Sequence, residues 1–195
     1  MADSWEQAVD AIRLAVVTAA VSGAASIYDE WAMLTGEYRM PVDSSRAVRF
    51  EMLAVCLHAM NRFALAAGGP EARAAIQDAV TQGAIKEALA GVSGDSDAHV
   101  GFDAAEWQEW MTEDMLLLVN AADKDYTLCG ELASNSGLAP FRSDTVFGKL
   151  ASRITRQVGR EELMPLRLAI WNSAMGALNR ARLKEQVEEA CRVLR

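Results

Sequence analysis

The residues of this chain that could do chemistry are few, and most lie in the stretch from Arg46 to Ala67. From Arg49 it reads Arg-Phe-Glu-Met-Leu-Ala-Val-Cys-Leu-His-Ala-Met-Asn-Arg-Phe. Between Phe50 and Ala67 the polar side chains, the Cys56 thiol aside, are Glu51, His58, Asn61 and Arg62. At about 100° per residue on a helix, Glu51, His58 and Arg62 fall within about 40° of one another, with Asn61 beside them. Three readings compete. The first is the solvent face of an amphipathic helix. The second is a buried network whose members satisfy each other. In the third, Glu51 and His58 form a site, as a general base or two metal ligands, with Arg62 fixing an anion.

Metal chemistry has little support. A dinuclear carboxylate bundle needs Glu-x-x-His on two helices and a Glu on two more, and no Glu-x-x-His occurs. Glu51 and His58 are two turns apart, about 10.5 Å of rise, too far for one ion. The other histidine, His99, lies in a loop-like stretch. No metal and no cofactor are therefore expected. Asp95-Ser96-Asp97 starts like a calcium loop but lacks the Gly and Glu that complete one. Nucleophile elbows, phosphate loops and dinucleotide fingerprints are also missing. Cys56, Cys129 and Cys191 read as small buried hydrophobes.

A second constellation is basic. Lys149, Arg153, Arg156 and Arg160 recur at four, three and four residues and share a helix face, with Arg142 ahead of them. Such a face pairs with the chain's own acids, docks an acidic protein, or binds phosphate. Asp144 at the start of this helix would repel phosphate and argues against a DNA-reading helix. A third feature is steric. Ala11, Ala15, Ala19 and Gly23 form a small-residue stripe that lets two helices approach closely, either within the chain or across a homodimer seam. Ile12, Val16, Ala20 and Ala24 line the adjacent stripe, so this helix has more apolar surface than one neighbour covers. Further on, Trp107, Trp110, Met111, Met115, Leu118 and Ala122 form an apolar stripe read as core. Glu106, Glu109, Glu113, Asp114 and Asp123 form its solvated complement.

The elements that must position these groups are helices throughout. Apolar residues repeat with helical period, no alternating strand occurs, and 35 alanines favour the α conformation. The spacing predicts a first helix from Ser4 to Leu34, stopped by Gly36. A second runs from Asp43 or Ser44 to Ala67. Gly68-Gly69-Pro70 ends it sharply, and Pro70 opens a third that reaches Ala90. Asp103 with Glu106 caps a fourth of about 20–30 residues. Ser143 or Asp144 starts a fifth, which Gly159 ends. A sixth begins near Arg160 with Pro165 in its first turn, breaks near Asn179, and is followed by Leu183–Leu194. The expected fold is an all-α, single-domain bundle of six to seven helices, several long and antiparallel, with a weak boundary at 135–143.

Charge bounds the partners. The net charge is −8. Residues 1–141 hold 8 Lys/Arg against 21 Asp/Glu, a net of −13, and residues 142–195 hold 11 against 6, a net of +5. An acidic chain disfavours nucleic acid. The apolar run from Leu14 to Ile27 follows Asp3, Glu6 and Asp10 rather than the cations of an export signal, so a cytoplasmic location is expected. The same acids argue against a membrane-surface helix, and no uninterrupted apolar run is long enough to span a bilayer. With no catalytic signature, the leading expectation is a non-enzymatic protein acting through protein–protein contact, as a homo-oligomer. An enzyme on the Glu51/His58/Arg62 face, joined by Glu109 or Glu113, is the alternative. Anion or nucleic-acid binding by residues 145–160 is the third.

Overall fold

Six α-helices account for most of the described chain: α1 (Ala2–Thr35), α2 (Val42–Ala90), α3 (Ala104–Thr127), α4 (Val146–Gln157), α5 (Met164–Arg180) and α6 (Leu183–Val193). The structure, a computed structural model, describes residues 2–90, 104–132, 142 and 144–195, and the side chains of 4–90, 112–132, 142 and 144–195. No strand occurs among the described residues. One isolated bridge pairs Glu131 with Thr145. The fold is all-α, as the periodicity predicts.

The long α2 is two rods. Gly69 has φ 79° and ψ −171°, a conformation open to glycine and costly for any residue with a Cβ. The chain reverses there. Leu53 and Leu89 would lie about 54 Å apart on a straight helix, yet both line one groove with Ala20 and Val21. Pro70 begins the second rod, where its missing N–H costs nothing. The predicted division at Gly68-Gly69-Pro70 is thus a helical hairpin, and the described residues form seven straight segments.

The first rod of α2 is the centre of the molecule. Every residue from Glu51 to Asn61 is buried, because α1, α3, α4 and α6 all pack on α2. Buried residues of all six helices join one apolar cluster. From α1 come Ile12, Val16, Ala19, Ile27 and Trp31. The second rod of α2 contributes Ile76, Val80, Ile85 and Leu89, and α4 contributes Leu150 and Ile154. Across the segment after α3, Val146 N–H donates to Glu131 O (2.9 Å) and Phe147 N–H to Leu132 O (3.1 Å). The weak boundary expected at 135–143 falls largely outside the described residues. So do the loop with His99 and Asp95-Ser96-Asp97, the Asp103 cap, and the side chains of Glu106, Trp107, Glu109, Trp110 and Met111.

Three local expectations are corrected. The N-cap of α4 is Thr145, whose hydroxyl accepts from Gly148 N–H at 3.1 Å, not Ser143 or Asp144. Leu118 is half exposed rather than core. The small-residue stripe is used within the chain: Ala15, Ala19 and Gly23 are buried, and α2, α5 and α6 cover α1. A Cβ on Gly23 would overlap the Met52 methyl and lie 3.2 Å from Ala177 Cβ. Ala11, Ala15, Ala19 and Gly23 are therefore not a free seam for a second copy.

Among the described residues two helices are apolar enough, by length and composition, to cross a membrane, with windows of mean hydropathy 1.5 in Ser4–Thr35 and 1.2 in Val42–Ala90. Counting uninterrupted apolar runs missed this, since isolated charges interrupt both. The α2 window is 67% buried inside the chain, the α1 window 39%.

Packing at Gly23 gives a direct test. Gly23→Val should destabilise by about 1–3 kcal/mol, the ordinary cost of overfilling a packed core, read as a lowered urea midpoint with unchanged slope. An equal or higher midpoint would place α1 farther from α2 and α5 than described.

Candidate functional site

Glu51 projects from the middle of α2 and is 6% exposed. A carboxylate removed from water must be paired and hydrogen-bonded, and this one is. Arg153 of α4 grips it with the Nε–Nη2 edge of the guanidinium: Nε donates to Oε1 (3.0 Å) and Oε2 (2.9 Å), and Nη2 to Oε1 (2.7 Å). Tyr126 of α3 donates its hydroxyl to Oε2 (3.0 Å) and Gln157 donates from Nε2 to Oε1 (3.0 Å). Arg153 also donates from Nη1 to Asp125 Oδ2 (2.6 Å). The hydrogen bonds to Glu51 hold the Arg153 guanidinium above its ordinary pKa. Burial, and then the neighbouring Glu51 charge, push the Tyr126 hydroxyl well above its own.

His58 belongs to a different cluster. Tyr126 stands between it and Glu51, its ring centroid 5.5 Å from the imidazole. His58 Nδ1 lies 2.6 Å from Asp123 Oδ1. Asp123 is held below the usual carboxylate pKa, chiefly by that hydrogen bond and to a smaller degree by the His58 and Arg73 charges, against the opposing effect of burial. An ionised carboxylate only accepts, so the proton of this contact sits on Nδ1. His58 is 4% exposed, and its Nε2 is buried with no partner. Asn61 is 7% exposed, and its Oδ1 likewise has none. One turn on, Arg62 donates to the carbonyls of Cys129 (3.0 Å) and Gly130 (2.6 Å), which satisfies the chain end after α3.

These groups line a cleft of about 210 Å³ formed by His58, Asn61, Arg62, Leu65, Arg73, Asp123 and Thr127. An imidazole oriented through Nδ1–H by a carboxylate is the posture of a general base. Among the described residues no serine or cysteine lines this cleft, and the Thr127 hydroxyl is engaged with Asp123 O (2.7 Å). Among the described residues, no three His, Cys, Asp or Glu side chains stand close enough to share a metal ion.

The sequence places Glu51, His58 and Arg62 on one face, and the structure confirms the face but divides it. Glu51 joins the Arg153 network, while His58, Asn61 and Arg62 join the cleft. The solvent-face reading is corrected, because α3 and α4 cover Glu51 and His58. The acids that meet this face are Asp123 and Asp125. Glu113 is exposed, and the Glu109 side chain lies outside the described residues. The basic face is also divided. Arg153 is taken by Glu51 and Asp125, Arg156 pairs with Glu161 (2.9 Å), and Arg160 with Glu37 (2.8 Å). Lys149 is half-buried beside Cys129. Of the three readings of this face, pairing with the chain's own acids is the one these contacts fit, although the exposed Arg156 and Arg160 pairs are weak in water. Sequence reasoning missed Tyr126, Asp125, Gln157 and Arg73. The usable signal was Asp123-Lys124-Asp125-Tyr126, two acids and a phenol in the last turns of an otherwise apolar helix face.

No family model matches the chain, no curated protein matches it, and no solved structure matches its fold.

Removing one partner of a buried pair leaves an uncompensated charge. Arg153→Met should cost about 3–5 kcal/mol in chemical denaturation, and Arg156→Ala less than about 0.5 kcal/mol. Equal effects would contradict the assignment of Glu51 to Arg153. The pH profile is bounded on both sides. Asp123 has a lowered folded pKa, so its contribution is present above the ordinary carboxylate range, about 3.9, and is lost as pH falls through that range and below. Tyr126 has a raised folded pKa, so its contribution is present below about pH 10 and declines above it as unfolded tyrosine ionises. Melting temperature against pH should fall at both ends, and Tyr126→Phe should flatten the alkaline limb.

Proposed function

We propose that the protein is a helical interaction module that self-associates through the outer face of α1. The observation that carries this reading is the exposure of its most apolar helix. Leu14 is 60% exposed and Val21 56%, and with Thr18 and Ala25 they form one uncovered stripe. Beside it opens an apolar groove of about 260 Å³ that includes Val21, Ala25, Tyr28, Phe50, Leu53 and Leu89. A contiguous apolar surface of this kind on a folded chain fits a protein contact.

A second copy of α1 is the occupant that fits. A two-fold axis between Thr18 and Val21 brings the two stripes together, and the small Ala25 and Thr18 permit close approach. Asp10 and Asp29 are exposed at the two ends of the stripe. In a near-antiparallel pair each would face the other's counterpart. At the common 50° crossing, charges about 14 Å from the axis diverge to about 12 Å, beyond the screening length at physiological salt. The crossed arrangement is therefore favoured.

Light scattering after size exclusion tests it. The wild-type chain should run as a dimer at tens of micromolar, and Leu14→Lys with Val21→Lys should run as a monomer with an unchanged melting temperature. A monomeric wild type at several hundred micromolar overturns self-association and leaves the face to a different partner.

A further inference from the structure

We propose that the cleft between α2 and α3 lined by His58, Asn61, Arg62 and Arg73 binds a small anion that carries both an oxyanion group and a hydroxyl. The reasoning starts from what the cleft leaves unsatisfied. Burying an unpartnered polar atom costs free energy, and two such atoms belong to residues of one cleft: His58 Nε2 and Asn61 Oδ1. With the proton of the His58–Asp123 contact on Nδ1, Nε2 is left without a partner, an acceptor in the neutral ring and a donor in the imidazolium. Asn61 Oδ1 is an acceptor and calls for an O–H donor, and His58 Nε2 calls for a partner beside it.

The charge in the cleft calls for an anion. Arg62 spends its bonds on two carbonyls, which leave its positive charge unneutralised and three of its five N–H donors free. Arg73 makes no ion pair or hydrogen bond to any described residue, and its charge reaches Asp123. That single carboxylate is already committed to His58. Among the described residues, two guanidinium groups therefore face one engaged carboxylate, in a chain whose net charge is −8. Guanidinium is the side chain best matched to planar or tetrahedral oxyanions. Within about 210 Å³ there is space for a hydrogen phosphate or a short hydroxy acid, on the order of seven waters in volume.

The two kinds of donor and acceptor set the discrimination. The oxyanion meets Arg62 and Arg73, and the hydroxyl meets Asn61 Oδ1 beside the His58 ring. A ligand lacking the hydroxyl leaves Asn61 Oδ1 as orphaned as it is without it. Leu65, 46% exposed, forms an apolar border.

Histidine side-chain NMR reads the site directly, because the chain has 2 histidines, His58 at the cleft and His99 as the internal control. Inorganic phosphate, L-malate and succinate are titrated at constant ionic strength up to roughly 50 mM, where a millimolar Kd saturates. The expected result is a saturable shift of the His58 ring with phosphate or malate, at least about tenfold weaker binding of succinate, and little response from His99. A phosphate-only response assigns the oxyanion to phosphate, and a malate-only response assigns it to a hydroxy acid. Arg73→Ala, which removes no ion pair or hydrogen bond among the described residues, should keep its melting temperature within about 2 °C and bind about tenfold more weakly. Four outcomes overturn the proposal: no saturable His58 shift with any probe, equal affinity for malate and succinate, equal shifts at His99, or an Arg73→Ala variant that binds as wild type.

Discussion

The carboxylate of Glu51 constrains the rest of the molecule. It sits in the middle of the central rod, out of water, and accepts hydrogen bonds from Arg153, Tyr126 and Gln157 on two other helices. Ion pairs of this kind add little net stability compared with an apolar core of the same volume, because desolvation offsets most of the attraction. Their effect is positional. A slip of α4 by one turn moves Arg153 about 5.4 Å and breaks every bond it makes. Glu51 therefore sets where α3 and α4 lie on α2, and the cleft at His58 follows from that placement, since Tyr126 and Asp123 leave the same face of α3.

Helix periodicity was legible in the sequence to within a few residues because each rod ends in residues with their own backbone rule. Gly36, Gly68-Gly69-Pro70, Gly159 and Pro165 all mark boundaries found in the structure. The start of α4 was misplaced because Ser143, Asp144 and Thr145 are equally good caps by type, and only the bridge to Glu131 selects Thr145. The candidate site was half legible. The Glu51–His58–Arg62 face follows from spacing alone, but its partners are distant in sequence, and residue type does not say which of many acids reaches it. Asp123 reads as solvated in sequence, and it is the approach of α3 to α2 that makes it the histidine's partner.

The same limit explains the dimer stripe. Ala11, Ala15, Ala19 and Gly23 announce close helix approach, and the approach is real, but Met52 and Ala177 supply it from within the chain. What remains for another molecule is the opposite face, around Leu14 and Val21. The excess of apolar surface on this helix was visible from composition, but not which side the fold would leave bare. Charge segregation between the two parts of the chain has an equally internal outlet, in contacts such as Glu51–Arg153 and Glu37–Arg160.

The reversal at Gly69 carries a topological consequence. The two arms of α2 lie together on α1 because one residue adopts a left-handed torsion, and nothing lies within 4 Å of the place its Cβ would occupy. Space permits a larger residue there, but the torsion opposes it. Pro70, whose ring opposes a helix continued through it, keeps the two arms from fusing into one rod, so a side chain at position 69 would strain the turn without removing it.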